Sequence, residues 1–180
     1  MRKRIIALTS FLAALLFFFT PQEGYSQWNR HLKGNGQIVK NRVTVPEFNR
    51  IVADGADHII LLTKDNTPYT VITETDKNLL SDIRISVKNQ TLHITYSDIS
   101  PTRLKFYITV PSLESIKASG ASVIQGADTL SGKQFKLDAS GAASVNLMLR
   151  FQQVNTRVSG AADVVLSGET KKLFTNSSGV

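Results

Sequence analysis

The sequence predicts an all-β protein: a parallel β-solenoid, or β-helix-like stack, with coils of about 20 residues, preceded by antiparallel strand pairs. The first observation behind this prediction is a Ser/Asp-Gly-Ala motif whose glycines lie 65, 21, 19 and 19 residues apart. A fixed period of this length is typical of stacked repeats in which each repeat forms one coil. The second is that apolar residues alternate with polar ones, which is the period of a strand. The motif glycines are Gly55, Gly120, Gly141, Gly160 and Gly179.

The N-terminus has the three parts of a secretory signal peptide. Basic residues at positions 2–4 precede an apolar run over residues 5–19, and Gly24 and Ser26 supply small residues after it. We expect cleavage between Ser26 and Gln27, which places the mature chain in the periplasm, on the outer surface or in the medium. An uncleaved signal anchor is the alternative, although the run is shorter than the roughly 20 residues of a typical span.

The remaining chain divides into a short segment, residues 27–35, and one β-solenoid domain, residues 36–180. It has no cysteine, so packing and backbone pairing must stabilise the domain without disulfides. The net charge of +7 falls to +5 without the signal peptide, and the basic residues form no stripe. We therefore expect neither a nucleic-acid partner nor a transmembrane span in the mature chain.

Strand patterns fill the first part of the domain. Residues 37–45 are rich in β-branched side chains and end before a proline, and residues 69–75 and 104–110 alternate. Residues 83–87 and 92–96 also alternate around a short polar turn, which predicts an antiparallel pair.

The second part is the repeat itself. Ile116 and Leu137 occupy one repeat position, and Lys117 and Asp138 occupy the next. This alternation in register predicts one buried row, one exposed row, and parallel ladders between successive repeats. We expect each glycine to turn a corner at positive φ, which glycine adopts without steric cost.

A polar residue precedes the first apolar residue after each corner. Stacked oxygen atoms in this row could bind Ca²⁺ or a sugar hydroxyl, but they could also cap backbone amides at the corners. We favour capping, because only two of the four residues are carboxylates. The row consists of Asp57, Ser122, Ser144 and Asp163.

We predict no catalytic, cofactor-binding or metal-binding residue. Glycoside hydrolysis needs a pair of carboxyl groups about 5 to 10 Å apart, and the acidic residues of the repeats occupy different positions. The histidines share no metal-ligand spacing. The acidic residues are Asp128, Asp138, Asp163 and Glu169, and the histidines are His31, His58 and His93.

Several local motifs together resemble one family. They are Phe48-Asn49-Arg50-Ile51, Leu79-Leu80, the segment from Val110 to Ile116 that leads into a corner, and the repeated Ser-Gly-Ala corners. In combination they resemble the head GIN domain family of auto-transporter adhesins, exported proteins common in Bacteroidetes, over about residues 36–180. The resemblance implies an all-β, solenoid-like domain behind a signal peptide, and it carries no catalytic residues.

The sequence therefore favours an exported, non-enzymatic surface or envelope domain that binds like an adhesin. Envelope polysaccharide and envelope protein both remain open as partners. A carbohydrate-active β-helix enzyme and an envelope scaffold without a small ligand are the alternatives. Residues 173–180 repeat the approach to a corner without a solenoid cap, so we also expect further coils beyond Val180.

Overall fold

The computed structural model describes residues 31–64 and 67–179, so the predicted signal peptide and cleavage site lie outside the described residues. This part of the chain contains thirteen strands and one 3₁₀ helix, Lys77–Asp82. The strands are β1 Leu32–Lys33, β2 Ile38–Thr44, β3 Arg50–Gly55, β4 His58–Leu62, β5 Thr70–Asp76, β6 Arg84–Lys88, β7 Thr91–Thr95, β8 Ile99–Ser100, β9 Leu104–Thr109, β10 Ser115–Gly120, β11 Val123–Ala139, β12 Ser144–Ser159 and β13 Asp163–Ser178. The predicted all-β class is confirmed.

The antiparallel pair predicted around the polar turn is also confirmed. β6 and β7 pair with Arg84 opposite Thr95 and Lys88 opposite Thr91. The turn between them has positive φ at both Asn89 and Gln90, as in the two-residue turns that match the twist of a hairpin.

The predicted stack of coils needs correction. Eleven strands form one curled, mixed sheet that resembles half a barrel, and this is not clearly a solenoid of separate coils. The reason is that β9 pairs in parallel with β4 on one side and antiparallel with β5 on the other, so antiparallel strands extend the same sheet that the repeats form. The short strands β1 and β8 pair separately.

Parallel ladders do connect the repeats. Apart from Lys171, every residue of β13 pairs with the residue 19 positions earlier in β12. In the ladder between β11 and β12, Val123 pairs with the residue 21 positions later, whereas Thr129 and the paired residues after it pair with the residue 19 positions later. The spacing changes because β11 bulges between Gln125 and Thr129. This bulge explains why one glycine spacing is 21 instead of 19.

Each long strand has two halves, separated by one unpaired ladder position at Lys133, Gln152 or Lys171. The first half of β11 continues the ladder of β4, and its second half continues that of β3 and β10. The core lies inside the curl, where Phe48, Phe106 and Phe135 are fully buried.

Candidate functional site

The corner glycines form a column of closely stacked backbone. Gly120, Gly141 and Gly160 have φ values of 69°, 70° and 73°, whereas Gly55 and Gly179 are not at positive φ. The N–H after each of these three glycines donates to the carbonyl of the preceding corner glycine, as Ala142 does to Gly120 at 2.8 Å. A Cβ atom on Gly141 would lie 2.9 Å from the Gly120 carbonyl oxygen. Glycine is therefore needed here for close approach as well as for φ.

The expected row of four corner oxygens is not a single row, and this prediction is corrected. Val123 pairs with both His58 and Ser144, which puts Asp57 and Ser122 in the row before the one that contains Ser144. Asp57 and Ser122 point inward and are buried, whereas Ser144 is half-buried and Asp163 is exposed. The glycines set the register, and a shift of one residue moves a side chain to the other face of a sheet.

Asp57 and Ser122 belong to a buried polar cluster at the first corner. Asp57 is 1% exposed, and neither its Oδ1 atom nor the Ser122 hydroxyl has a hydrogen-bond partner among the described residues. Burial raises the pKa of the Asp57 carboxyl, and the neighbouring Tyr96 hydroxyl offsets part of this rise. Burial, followed by the charge of Asp57, raises the pKa of Tyr96 as well. The folded state therefore favours neutral Asp57.

We expect the Asp57→Asn variant to be more stable than the natural chain at pH 7. A carboxyl group with a raised folded-state pKa stabilises the fold fully below its unfolded pKa and loses that contribution as the pH rises through the folded pKa. The asparagine amide does not ionise, so the gain in Tm should shrink as the pH falls toward 3. Thermal unfolding across this pH range measures it. Asp163→Asn is the exposed control and should leave Tm unchanged; a lower Tm for Asp57→Asn at pH 7 would contradict the argument.

A polar groove borders the outer side of the ladder formed by β3, β10 and the second halves of β11, β12 and β13, and its lining extends from Arg50 of β3 to Asn155 of β12. We call this outer side the ladder face. The groove has a volume of about 790 Å³. Its lining also includes the buried rings of Phe135 and Phe151, whose centroids are 5.2 Å apart. Its polar lining includes Arg50, Glu114, Lys133, Gln134, Lys136 and Asn155.

The groove is set up by the strand register. Arg50, Ser115 and Lys136 are paired neighbours on adjacent strands, so their side chains form one outward row. Asn155 and Phe174 continue this row on β12 and β13. Neighbouring strands lie about 4.8 Å apart, and the row therefore presents a different side chain at each such step. Three cationic side chains and one carboxylate line the groove, and Asp138 pairs with Lys136 at 2.8 Å, so the groove keeps a smaller positive charge than its lining alone suggests.

Sequence reasoning missed this groove. The outward row occupies one fixed position, five residues before each glycine, and that period was visible in the sequence. What the sequence did not reveal is that residues 112–114, just before β10, lie beside the middle of β11 and enclose a concave surface with it. The signal that could have found it was the presence of arginine and lysine at this repeated position.

The acidic residues considered for catalysis have other surroundings. Asp128 accepts a hydrogen bond from the Thr63 N–H at 3.0 Å, and Asp138 forms an ion pair with Lys136 at 2.8 Å. Glu169 lies 3.8 Å from Arg150 in an exposed pair. Asp163 lies on the exposed outer row of β13.

Two of the three histidines lie in strands of the curled sheet. His58 lies 3.3 Å from the Gln125 side-chain oxygen, and His93 lies within β7. Among the described residues, no group of three His, Cys, Asp or Glu side chains could hold a metal ion. Within the same residues, no helix has the length and apolar character needed to cross a membrane.

Comparison with known proteins agrees with this architecture. The chain is similar to the crystal structure of a "putative adhesin" from Parabacteroides distasonis ATCC 8503, at 25% identity and a TM-score of 0.77, over 83% of this chain and 66% of that one. The chain is also similar to the structure of a "putative adhesin" from Bacteroides fragilis NCTC 9343, at 19% identity and a TM-score of 0.74, over 83% of this chain and 80% of that one. A third similar structure, of a "putative lipid binding protein" from Parabacteroides distasonis ATCC 8503, has 14% identity and a TM-score of 0.68, over 82% of this chain and 74% of that one.

This chain thus spans just under two thirds of the length of the first of these proteins. A search of curated protein sequences finds no match. The family model described as "Putative auto-transporter adhesin, head GIN domain" matches residues 47–180, a range that contains every corner glycine. The resemblance inferred from the sequence motifs is confirmed, and the chain belongs to this head GIN domain family.

Proposed function

We propose that this chain is an exported, non-enzymatic binding domain of the cell envelope, and that its ladder face holds an extended envelope polysaccharide with acidic groups. The observation that carries the proposal is the groove at Arg50, Lys133 and Lys136. Its cationic side chains can pair with carboxylate or phosphate groups, and its serine, glutamine and asparagine side chains can bind hydroxyl groups. The outward row repeats at the strand spacing, which suits a polymer better than a small ligand.

Export and an adhesin-like role are part of the same proposal. The basic and apolar segments of residues 1–26 support export, with cleavage between Ser26 and Gln27. One of the two similar proteins from Parabacteroides distasonis is named a "putative adhesin", and nothing in the family or in the similar structures points to an enzyme. We propose that the domain works at the periplasmic or outer surface without a cofactor.

Binding to an array of purified acidic and neutral envelope polysaccharides tests the proposal. The variant Arg50→Ala/Lys133→Ala/Lys136→Ala should lose about tenfold or more in affinity for acidic polysaccharides, equivalent to about 1.4 kcal/mol. A matched control, Lys77→Ala/Arg84→Ala/Lys88→Ala, removes one arginine and two lysines from exposed positions elsewhere and should bind normally.

Equal losses in the two triple variants would show that net charge, and not the groove, causes binding. The same array should be scored for new reducing ends, because the alternative function is polysaccharide cleavage. Retention without release supports a binding domain. Release that disappears in Asp163→Asn would replace the proposal with an enzyme.

A further inference from the structure

Charged and uncharged side chains alternate along the outward row that lines the groove. The row crosses four adjacent strands, from β3 through β10 and β11 to β12, because its members are successive ladder partners. These members are Arg50, Ser115, Lys136 and Asn155, and all four line the groove. Along the row, a cation is therefore followed by a hydroxyl group, a second cation and an amide.

The alternation sets a distance between the two cations. Neighbouring strands lie about 4.8 Å apart, so Arg50 and Lys136, two strands from each other, start from backbone positions about 10 Å apart. Both of these side chains are exposed, whereas Ser115 and Asn155 are half-buried. A ligand lying along the row therefore meets positive charge at every second strand and an uncharged polar group at the strands between.

The other charges around the groove do not fill its uncharged steps. Lys133 and Glu114 also line the groove, but they have opposite signs and lie outside the row. Lys133 is the unpaired ladder position of β11, and Glu114 precedes β10. An Asp138 carboxylate oxygen lies 2.8 Å from Lys136 Nζ. This ion pair weakens the attraction of Lys136 for a ligand acid, but it adds no positive charge at the uncharged steps.

We propose that the groove selects an acidic polysaccharide in which acidic and neutral sugars alternate, and that the uncharged side chain of Ser115 determines this preference. This specificity rests on the proposed function, because it concerns the polymer that the same groove holds. A sugar unit of an extended chain and one strand spacing, about 4.8 Å, are similar in length. A polymer lying along the row therefore presents one sugar to each strand, and every second sugar meets a cation.

The chemistry at each step favours alternation in the ligand. A sugar carboxylate beside Arg50 or Lys136 gains a charge-assisted hydrogen bond. A neutral sugar beside Ser115 or Asn155 exchanges hydrogen bonds through its hydroxyl or acetamido groups, because both side chains donate and accept. A carboxylate at the same uncharged step would lose hydration without gaining a countercharge. A polymer with an acid on every unit is therefore penalised at every second strand, which is how a binding site discriminates between related ligands.

Hexasaccharides of hyaluronan and of polyglucuronate test this preference in titration calorimetry at physiological ionic strength. Hyaluronan alternates glucuronate with a neutral N-acetyl sugar, whereas every unit of polyglucuronate carries the carboxylate. The natural chain should bind the hyaluronan hexasaccharide about fivefold more tightly or better. Ser115→Lys places a cation at the uncharged step, so it should shift the ratio of the two affinities about tenfold or more toward polyglucuronate. Comparing this ratio between variants cancels the difference in linkage between the two polymers.

Two further variants complete the test. Ser97→Lys adds the same charge at an exposed position outside the groove, and it should leave the ratio of affinities unchanged. Asn155→Lys fills the other uncharged step and should shift the ratio in the same direction as Ser115→Lys. The result therefore does not depend on the folding of one variant, and thermal unfolding checks that each variant is folded.

Failure of the specificity and failure of the proposed function give different results. If the natural chain binds neither hexasaccharide, or if Arg50→Ala/Lys133→Ala/Lys136→Ala binds both as tightly as the natural chain, the proposed function is wrong and the specificity falls with it. If that triple variant loses binding but Ser115→Lys and Asn155→Lys leave the ratio of affinities unchanged, the groove binds acidic polysaccharide and only the alternation is wrong. A natural chain that prefers polyglucuronate would likewise overturn the alternation.

Discussion

Replacement of Gly141 by valine is expected to destabilise the fold by about 3 kcal/mol or more. Gly141 has a φ of 70°, where a β-branched residue is strained. Its added Cβ would also lie 2.9 Å from the Gly120 carbonyl oxygen, which accepts the Ala142 N–H. The clash therefore falls on the backbone of the column, which cannot move aside as a flexible side chain could. Chemical denaturation of the purified variants measures the loss.

Gly36→Val separates the two causes. Gly36 has a φ of 77°, but no atom in the part of the chain that the structure describes lies within 4 Å of the position of an added Cβ. This variant should show the cost of φ alone, about 1–2 kcal/mol. Lys136→Ala, an outward substitution in the same repeat, should cost about 0.5 kcal/mol or less. If Gly141→Val and Gly36→Val lose the same free energy, the close stacking of the corners contributes nothing.

Local sequence patterns were sufficient for the strands but not for their partners. Alternation located β6, β7 and β9 because one face of each is more buried than the other. Whether a strand pairs in parallel or antiparallel depends on distant residues, and β9 lies between β4 and β5, which pair with it in opposite senses. The repeat period indicated parallel stacking, and for β10 to β13 the ladders have that sense. The antiparallel strands that extend the same sheet carry no repeat, so the period could not reveal them.

The polar residues of the corners were harder to place than the glycines. The motif at Ser140 has alanine where the motif at Ser119 has its second serine, so aligning the motifs on their first apolar residue shifted the row by one. Backbone stacking, as in the hydrogen bond from Ala142 to Gly120, fixes the register on the glycines instead. The same limitation hid the groove, because concavity at Lys133 and Lys136 arises only once the strands are assembled.

Buried acids on β5 were also not predicted. Alternation over residues 69–75 predicted a strand but did not indicate that Glu74 is buried, and it is 5% exposed. Arg103 lies 2.7 Å from it and Lys40 3.3 Å, and the Tyr107 hydroxyl donates at 3.1 Å. The Arg103 guanidinium is the main cause of the lowered pKa of Glu74. A sequence pattern cannot show that three donors from two other segments converge on one carboxylate.

Asp76, the last residue of β5, should show the second large effect, because replacement by asparagine should destabilise the fold at pH 7. Asp76 is fully buried and accepts the Gly36 N–H at 2.6 Å, the Thr102 N–H at 2.8 Å and the Thr102 hydroxyl. Asparagine would put an amide donor where these groups need an acceptor. The loss should appear as a lower Tm and as faster amide exchange at Gly36 and Thr102, whose N–H groups lose their acceptor.

The pH dependence at Asp76 should have the opposite sign to that at Asp57. The Thr102 hydroxyl, with the backbone N–H groups of Gly36, Thr102 and Arg103, lowers the pKa of Asp76. A carboxyl group with a lowered folded-state pKa stabilises the fold above its unfolded pKa, about 3.9, and loses that contribution as the pH falls through the folded pKa. The deficit of Asp76→Asn should therefore be full at pH 7 and shrink below pH 4, whereas the exposed control Asp82→Asn should match the natural chain throughout. A deficit that stays constant with pH would mean that shape, and not the ionised acceptor, holds residues 34–36 and 101–103 together.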